Sequence, residues 1–106
     1  GDLLCLFPEG AITKDGQIPP DAGGQAEICF DNIAAILEEA GLGLEHIVRV
    51  NAYVTAREHL RAYMDVRNRR FAAPLPASTL MVVSGFARPE FLVEVEAVAA
   101  GPAVEK

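Results

Sequence analysis

Two carboxylates near the C-terminal end, Glu94 and Glu96, have the spacing that most directly suggests chemistry. They alternate with Val93, Val95 and Ala97, so on a β-strand both carboxylates lie on the same face of the sheet. Mutual repulsion raises the pKa of one carboxylate of such a pair, which suits it to general acid–base catalysis. The alternative interpretation is a polar outer face of the sheet, and composition alone favours it.

Other residue types that often do chemistry form no strong motif here. The sequence contains no nucleophile elbow, P-loop, dinucleotide fingerprint or HExxH. His46 and His59 lie on different predicted elements without an evident third ligand, so we expect no metal site. Ser78 and Ser84 have no nearby His or Asp that would indicate a catalytic triad. We therefore expect neither a metal nor an organic cofactor.

The two cysteines, Cys5 and Cys29, stand in apolar patterns without Cys-x-x-Cys or Cys/His spacing. This context is typical of buried free thiols, which favour a cytoplasmic location. The longest uncharged stretch, from Phe71 to Ala87, contains prolines and a glycine and falls short of the ~20 apolar residues that span a bilayer. We therefore expect a cytoplasmic protein without a membrane span. The chain begins at Gly1, and the sequence leaves open whether a further segment precedes it.

Acidic residues outnumber basic ones and give the 106 residues a net charge of −6. Nucleic acids and anionic membranes bind proteins chiefly through neutralisation of negative charge, so we expect neither as a partner. The excess lies in Gly1 to Tyr53, whereas Val54 to Lys106 carries seven basic and six acidic residues. The basic cluster of this second half is typical of a solvated helix face, partly paired with the acidic half of the same or another chain. It comprises Arg57, Arg61, Arg67, Arg69 and Arg70.

Hydrophobic periodicity predicts strands that alternate with two helices. A turn at Lys14-Asp15-Gly16 predicts that the first two strands form a hairpin. Gly41 is expected to end helix one. Thr55 to Glu58 matches a capping box at the start of helix two. The predicted elements are strands from Leu3 to Phe7 and around Ala11 to Thr13, helix one from Gln25 to Ala40, a strand from His46 to Thr55, helix two from Ala56 to Phe71, and strands from Ser78 to Ser84 and from Phe91 to Ala99.

The resulting order, ββαβαββ, is an α+β domain in which helices cover one face of a sheet. The other face is left over, and we expect it to expose apolar residues from several strands. Soluble monomers rarely expose apolar patches of more than a few hundred Å², so we expect an oligomer.

Four groups of residues carry a resemblance to a known family. They are Gly1-Asp2-Leu3-Leu4 with Gly16-Gln17-Ile18-Pro19, then Gln25 followed by Asp31 to Gly41, then Ile47 to Thr55, and finally Phe71, Pro74, Pro76-Ala77-Ser78-Thr79 and Val93 to Ala99. In order and spacing they resemble the RidA (YjgF) family over roughly Gly1 to Ala100. Residues 1–100 are accordingly expected to form one RidA-like domain, followed by a C-terminal tail at 101–106.

This resemblance implies a chorismate-mutase-like fold and a homotrimer whose sheets face inward, with a small-molecule pocket at each subunit cleft. RidA hydrolyses reactive enamine and imine intermediates and uses an arginine to bind the substrate carboxylate. Such a contact is bidentate and geometrically demanding.

The chain departs from the family at the residues of this pocket. The family's Pro-Ala-Arg-Ser/Thr motif reads Pro76-Ala77-Ser78-Thr79, so Ser78 replaces the arginine. The family's Ser-Gly at the end of the first long strand reads Phe7-Pro8, and a helix-two asparagine reads Met64. Of the site residues implied by the resemblance, only the acid at Glu94 remains.

Three interpretations of these departures stay open. In the first, the cleft binds another small molecule, with Phe7, Ser78, Leu80 and Glu94 as its lining and Glu94 as the candidate catalytic residue. In the second, the site is inactive and the trimer acts as a regulatory or interaction protein. The third is imine deaminase activity through a substitute arginine, Arg49 or Arg88. We favour the first interpretation.

Overall fold

The computed structural model describes residues 3–6 and 10–101. Within them, four strands and two helices follow one another in the order βαβαββ, and a short 3₁₀ turn precedes β2 and another precedes α2. The elements are β1 (Leu3–Leu6), α1 (Ala22–Glu39), β2 (Ile47–Val54), α2 (Leu60–Arg70), β3 (Ala77–Val82) and β4 (Val93–Ala100). Phe7, predicted as the end of the first strand, and residues 102–106 of the predicted tail lie outside the described residues.

The strands form one sheet in the order β1-β4-β2-β3. β4 is antiparallel to both of its neighbours, whereas β2 and β3 are parallel and are connected through α2. The α+β architecture predicted from the sequence is confirmed. β3 and β4 are shifted from their predicted bounds, Ser78 to Ser84 and Phe91 to Ala99, and β3 lies at an edge of the sheet.

The strand predicted around Ala11 to Thr13 is absent from the described residues, so that prediction is wrong. The side-chain amide of Asn32 on α1 donates to the carbonyl oxygens of Gly10 and Ile12, both at 3.2 Å. Ala11 between them is fully buried. The carbonyls of this segment therefore bond to a helix and not to a neighbouring strand, which removes the predicted hairpin.

Helix α1 begins before the predicted Gln25 because Asp21 caps it. The Asp21 carboxylate accepts a hydrogen bond from the backbone N–H of Gly24 at 2.9 Å. Gly23 and Gly24, which precede the predicted start at Gln25, therefore lie in the first turn of the helix. At the other end Gly41 has a φ of +75°, the left-handed conformation that closes a helix, so its predicted role is confirmed.

Two further turn predictions have opposite outcomes. The turn at Lys14-Asp15-Gly16 forms, with a φ of +84° at Gly16. The capping box at Thr55 to Glu58 does not form, because no side chain caps the 3₁₀ turn that leads into α2. The backbone N–H of Thr55 donates instead to the carbonyl of Leu92 at 3.1 Å, which keeps the chain beside β4 past the end of β2.

Alternation along the strands separates a covered face of the sheet from an open face. On β4, Val93, Val95, Ala97 and Ala99 are buried, and the side chains between them are partly exposed. The covered face packs against both helices. The core residues contributed by the helices are Ala26, Cys29, Phe30, Ile33 and Leu37 of α1 and Tyr63 and Val66 of α2.

Polar side chains occupy the middle of the open face, so the apolar residues expected there are restricted to its flanking strands. Register places the alternate residues of β2 beside Glu94 and Glu96 on β4. Large exposed apolar side chains lie on the flanking strands, where Leu3 is 69% and Met81 52% exposed. Cys5 is also exposed on β1, which corrects its predicted burial.

Two arginines of the basic cluster on α2 form ion pairs with α1, which confirms the partial pairing predicted for that cluster. Arg69 Nη1 lies 2.8 Å from Glu27 Oε2, and Arg70 Nε lies 2.9 Å from Glu27 Oε1. Arg70 also contacts Asp31. The hydrogen bond from Arg69 is the main cause that lowers the pKa of Glu27.

The described part of the chain contains no helix with the length and apolar character required to cross a bilayer.

Candidate functional site

Ser78 and Leu80 lie together on the covered side of the edge strand β3. Register pairs Ser78 with Val50 and Leu80 with Ala52, and both partners are buried. Leu80 packs against the core, and the Ser78 hydroxyl accepts a hydrogen bond from Arg67 Nη1 at 3.1 Å. The parallel strand thus places its alternate residues next to α2, which precedes it in the chain.

The guanidinium of Arg67 is held by neutral oxygens. Besides its bond to Ser78, its Nε and Nη2 donate to the side-chain oxygen of Asn68 at 3.3 and 3.0 Å. Among the described residues no carboxylate lies within ion-pair distance of Arg67, in contrast to Arg69 and Arg70. Sequence reasoning placed Arg67 on a solvated helix face and missed its contact with β3, because that contact joins residues of two different elements.

Glu94 lies on the open face near the start of β4. It pairs with Tyr53 of β2, is partly buried, and has no hydrogen bond within the described structure. A small cavity of about 110 Å³ borders this position. It is lined by Gly10, Phe86, Ala87, Phe91, Val93 and Glu94.

Glu96 is the centre of a hydrogen-bond network on the same face. Its Oε1 accepts from the Tyr53 hydroxyl at 2.8 Å and from the Asn51 side-chain amide at 3.3 Å. The bond to Glu96 is the main cause that raises the pKa of the Tyr53 phenol. The side-chain oxygen of Asn51 is buried and has no hydrogen-bond partner within the described residues. The alternation of Arg49, Asn51 and Tyr53 along β2 could have indicated this polar face, but it was not among the sequence predictions.

The structure does not bring all the predicted site residues together in one chain. Ser78 and Leu80 are on the covered face of β3, whereas Glu94 is on the open face of β4, with β2 between the two strands. Phe7, the fourth predicted lining residue, lies outside the described residues. A single chain therefore holds the predicted lining residues in two separate places.

The two arginines suggested as substitutes are both engaged elsewhere. Arg88 pairs with Glu90 at 2.8 Å and lies over the ring of Phe91. Arg49 donates to the Thr79 hydroxyl at 3.0 Å on the open face. Neither contacts Ser78 among the described interactions.

Other reactive groups add little chemistry to this arrangement. Burial raises the pKa of the Cys29 thiol to about 12, so at neutral pH it is protonated and packs as an apolar residue. The described residues include no cluster of three His, Cys, Asp or Glu side chains that could hold a metal ion. The imidazole Nδ1 of His46 accepts from the backbone N–H of Gly43 at 3.0 Å and so has a structural role at the turn before β2.

A larger cavity, of about 280 Å³, lies near the end of α2 and the start of β3. It contains none of the residues predicted for the site. Its lining is mostly apolar and comprises Leu44, Glu45, Ile47, Arg70, Phe71, Ala72, Ala73, Pro74 and Pro76.

Comparison with known proteins agrees with this fold and sequence pattern. Residues 6–101 match the family model described as endoribonuclease L-PSP. The RutC family protein YjgH of Escherichia coli (strain K12) is 33% identical over 97 residues, which cover 90% of this chain and 74% of that protein. A solved structure of protein YjgH superposes with a TM-score of 0.85 at 32% identity and covers 98% of this chain and 80% of the other.

A second relative has a named activity. The 2-iminobutanoate/2-iminopropanoate deaminase of Escherichia coli (strain K12) is 30% identical over 93 residues, which cover 81% of this chain and 69% of that enzyme. The family match includes both helices, the strands β2, β3 and β4, and the last residue of β1. The chain therefore belongs to the endoribonuclease L-PSP family, the RidA (YjgF) family that its sequence motifs resemble.

Proposed function

We propose that this chain is a divergent RidA-family protein that assembles as a homotrimer and binds a small molecule in the cleft between two subunits. In this arrangement the open faces of the sheets turn inward. Ser78 and Leu80 of one subunit and Glu94 of its neighbour line the cleft, together with Phe7. Glu94 is the candidate acid–base residue.

The observation that carries this proposal is the separation of the predicted residues within one chain. Ser78 and Glu94 lie on opposite faces of the sheet and on strands that are not neighbours. A single cleft can contain both residues when the edge strand β3 of one copy lies beside the open face of a second copy. A homo-oligomer with closed symmetry repeats such a contact at every subunit.

The character of the open face supports association. No helix or strand of the described chain covers it, yet Asn51 already holds a buried acceptor without a partner there. A buried polar atom without a hydrogen bond costs about 1–3 kcal/mol, so a group from a second copy or an ordered water would stabilise it. The exposed apolar side chains on the flanking strands supply surface for burial in such a contact.

Light scattering combined with a thermal-shift ligand screen tests the proposal. We expect a mass of three chains, and we expect a compound that stabilises the wild-type protein to lose its effect in Glu94→Ala while the trimer persists. Glu58→Ala, which removes an exposed carboxylate outside the sheet, is the matched control. A monomer at micromolar concentration, or full affinity in Glu94→Ala, would contradict the proposal.

Imine deaminase activity is the second candidate, and the 30% identical deaminase relative favours it. Ser78 offers a neutral hydroxyl where the family resemblance implies a guanidinium, and loss of a charge-assisted contact costs about 1.5–3 kcal/mol. We therefore expect slow or undetectable hydrolysis of 2-iminopropanoate unless another arginine acts. A rate equal to that of the deaminase relative, measured in parallel, would make deamination the function.

An inactive trimer with a regulatory or interaction role is the remaining alternative. It predicts the same trimer in light scattering but no compound whose binding depends on Glu94. The ligand screen and the Glu94→Ala variant together separate it from the first proposal.

A further inference from the structure

The cavity beside Glu94, of about 110 Å³, lies at the start of β4, next to the loop that precedes this strand. Glu94 is the one charged residue of its lining, and the rings of Phe86 and Phe91 are the largest apolar groups there. Phe91 is buried and packs against Gly10, where an added Cβ atom would lie 3.3 Å from Cζ of the ring. The cavity therefore combines a single carboxylate with closely packed aromatic walls.

The carboxylate of Glu94 has no partner among the described residues. It is partly buried, and it neither accepts a described hydrogen bond nor forms an ion pair. Arg88 lies nearby, with its Cζ 5.5 Å from the centroid of the Phe91 ring, but its guanidinium pairs with Glu90 at 2.8 Å. Burial of a charge is costly unless the charge is paired, so a cation from outside the chain would stabilise Glu94.

The surrounding face of the sheet is also negative. Register places three charged side chains on the open face of the described strands, namely Arg49, Glu94 and Glu96. Two carboxylates against one guanidinium leave one net negative charge. Arg49 donates to the Thr79 hydroxyl on β3, and Glu96 accepts from Tyr53. The excess charge therefore lies on the strand that borders the cavity.

The size and the lining of the cavity restrict the ligand. A water molecule occupies about 30 Å³ in the liquid, so 110 Å³ has room for about three to four non-hydrogen atoms. An ammonium group can donate a charge-assisted hydrogen bond to Glu94, and aromatic rings such as Phe86 attract cations and cover a short alkyl chain. An anion would be repelled by Glu94, and a neutral molecule would leave its charge unpaired.

We propose that the ligand of this cavity is a small organic ammonium ion, of the size of ethylammonium or propylammonium, whose ammonium group pairs with the Glu94 carboxylate. Phe86 and Phe91 cover its alkyl part. This inference rests on the proposed function, because it takes Glu94 as a residue of the ligand site, and it adds the chemical class of the ligand.

An NMR titration of the wild-type protein with propylammonium, 1-propanol and propanoate tests the inference. The three compounds have similar size and carry a positive, no and a negative charge. We expect propylammonium to bind with a dissociation constant of about 1–10 mM, because a ligand of so few atoms makes few contacts. The alcohol and the carboxylate should bind at least about tenfold more weakly, since neither pairs with Glu94.

Three variants assign the binding to one carboxylate. Glu94→Gln keeps the shape but removes the charge, and we expect it to weaken propylammonium binding at least about tenfold. Glu94→Asp keeps the charge on a shorter side chain and should lose less. Glu58→Gln, at an exposed position outside the sheet, is the matched control and should bind like wild type. Circular dichroism and light scattering on every variant separate loss of binding from loss of folding.

Three outcomes would overturn the ammonium ligand. They are equal binding of 1-propanol and propylammonium, an undiminished affinity for propylammonium in Glu94→Gln, and an equal loss in Glu58→Gln, which would indicate attraction to the acidic surface in general. Tighter binding of propanoate would also overturn it, because a guanidinium such as that of Arg67 would then select the ligand.

The same measurements separate this inference from the proposed function. A trimer that binds a neutral or anionic compound through Glu94 retains the proposed function and overturns the ammonium ligand. A monomeric wild-type chain that binds propylammonium through Glu94 overturns the trimer of the proposed function and retains the ligand class.

Discussion

The two faces of the sheet are made by the same strands, yet they are organised differently. The covered face is apolar, and the one buried polar side chain recorded in the core, Gln25, has all its hydrogen bonds made. The open face is polar in its middle, and its network around Glu96 leaves an acceptor of Asn51 without a partner. In the core the Tyr63 hydroxyl also lacks a partner among the described residues, so each side of the sheet has one such buried atom. The two faces differ in that the helices pack over one of them, whereas no described element covers the other.

This difference separates stability from function along a single strand. β4 alternates valines and alanines that build the core with Glu94 and Glu96, which face outward. Substitutions on the covered face should change the free energy of unfolding. Substitutions on the open face should change assembly, titration and ligand binding more than folding. The following predictions test this division from the largest expected effect to the smallest.

Truncation of a core aromatic residue should be the most damaging change. Phe30 is fully buried, with ring centroids 6.1 Å from Tyr63 and 5.6 Å from Phe71. Phe30→Ala should lower the free energy of unfolding by about 3–5 kcal/mol, measured by urea denaturation. Glu38→Ala on the exposed side of the same helix is the control. Similar losses in both variants would contradict the assignment of the core.

Gln25 joins α1 to the loop before β4. Its Nε2 donates to the carbonyls of Pro19 and Glu90, both at 2.8 Å, and its Oε1 accepts from the backbone N–H groups of Leu92 and Val93. Gln25→Leu keeps the side-chain volume but leaves these backbone groups without hydrogen-bond partners. We therefore expect the free energy of unfolding to fall by at least about 1–3 kcal/mol in the same assay.

The control for this variant is the same substitution at a glutamine outside the core. Gln17→Leu, at an exposed position, should change the free energy of unfolding by less than about 0.5 kcal/mol. If Gln25→Leu were as mild as Gln17→Leu, the buried hydrogen bonds of Gln25 would contribute nothing measurable.

The open-face network should be visible in a tyrosine titration. The sequence contains two tyrosines, Tyr53 and Tyr63, and the Tyr63→Phe background leaves only Tyr53 to titrate. Donation to Glu96 raises the pKa of Tyr53, so its absorbance change should occur above pH ~10, and Glu96→Gln should move it back toward that value. An unchanged midpoint would show that the bond to Glu96 does not govern this phenol.

The hydrogen bond from Tyr53 to Glu96 also makes the free energy of unfolding depend on pH. The pKa of Tyr53 is higher in the folded than in the unfolded chain, so its contribution is complete below pH ~10 and is lost as the pH rises through the raised value. Tyr53→Phe should remove this alkaline loss and cost about 1 kcal/mol at neutral pH.

The ion pairs between the helices should have the smallest effect. Glu27→Gln removes the negative charge that pairs with Arg69 and Arg70 at a partly exposed position, and we expect a loss of about 0.2–1 kcal/mol. Because the folded pKa of Glu27 is lowered, its contribution is present above pH ~4.3 and is lost as the pH falls through the depressed value.

Unfolding of wild type and Glu27→Gln at pH 7 and at pH 3 measures this difference. The gap between the two proteins should narrow at pH 3 and in high salt. A gap that widens in acid would reverse the sign assigned to the Glu27 pKa.

Much of the fold was predictable because its signals are local. The apolar spacing of α1, the left-handed glycine at its end and the alternation of β4 each depend on residues close together in the chain. The predictions failed where a distant group changed the outcome. Asn32 binds the segment around Ala11, and the carbonyl of Leu92 accepts a hydrogen bond from the backbone N–H of Thr55.

The same distinction between local and long-range signals applies to the candidate site. Sequence alone determined the family motifs, the serine at position 78, and the orientation of Glu94 and Glu96 on one face, since each of these follows from residue identity or from strand alternation. Tertiary structure alone decided that Ser78 and Glu94 lie on opposite faces and that Arg67 reaches Ser78. Strand order and helix packing depend on contacts between segments far apart in the chain, and no local pattern encodes which side chains those contacts bring together.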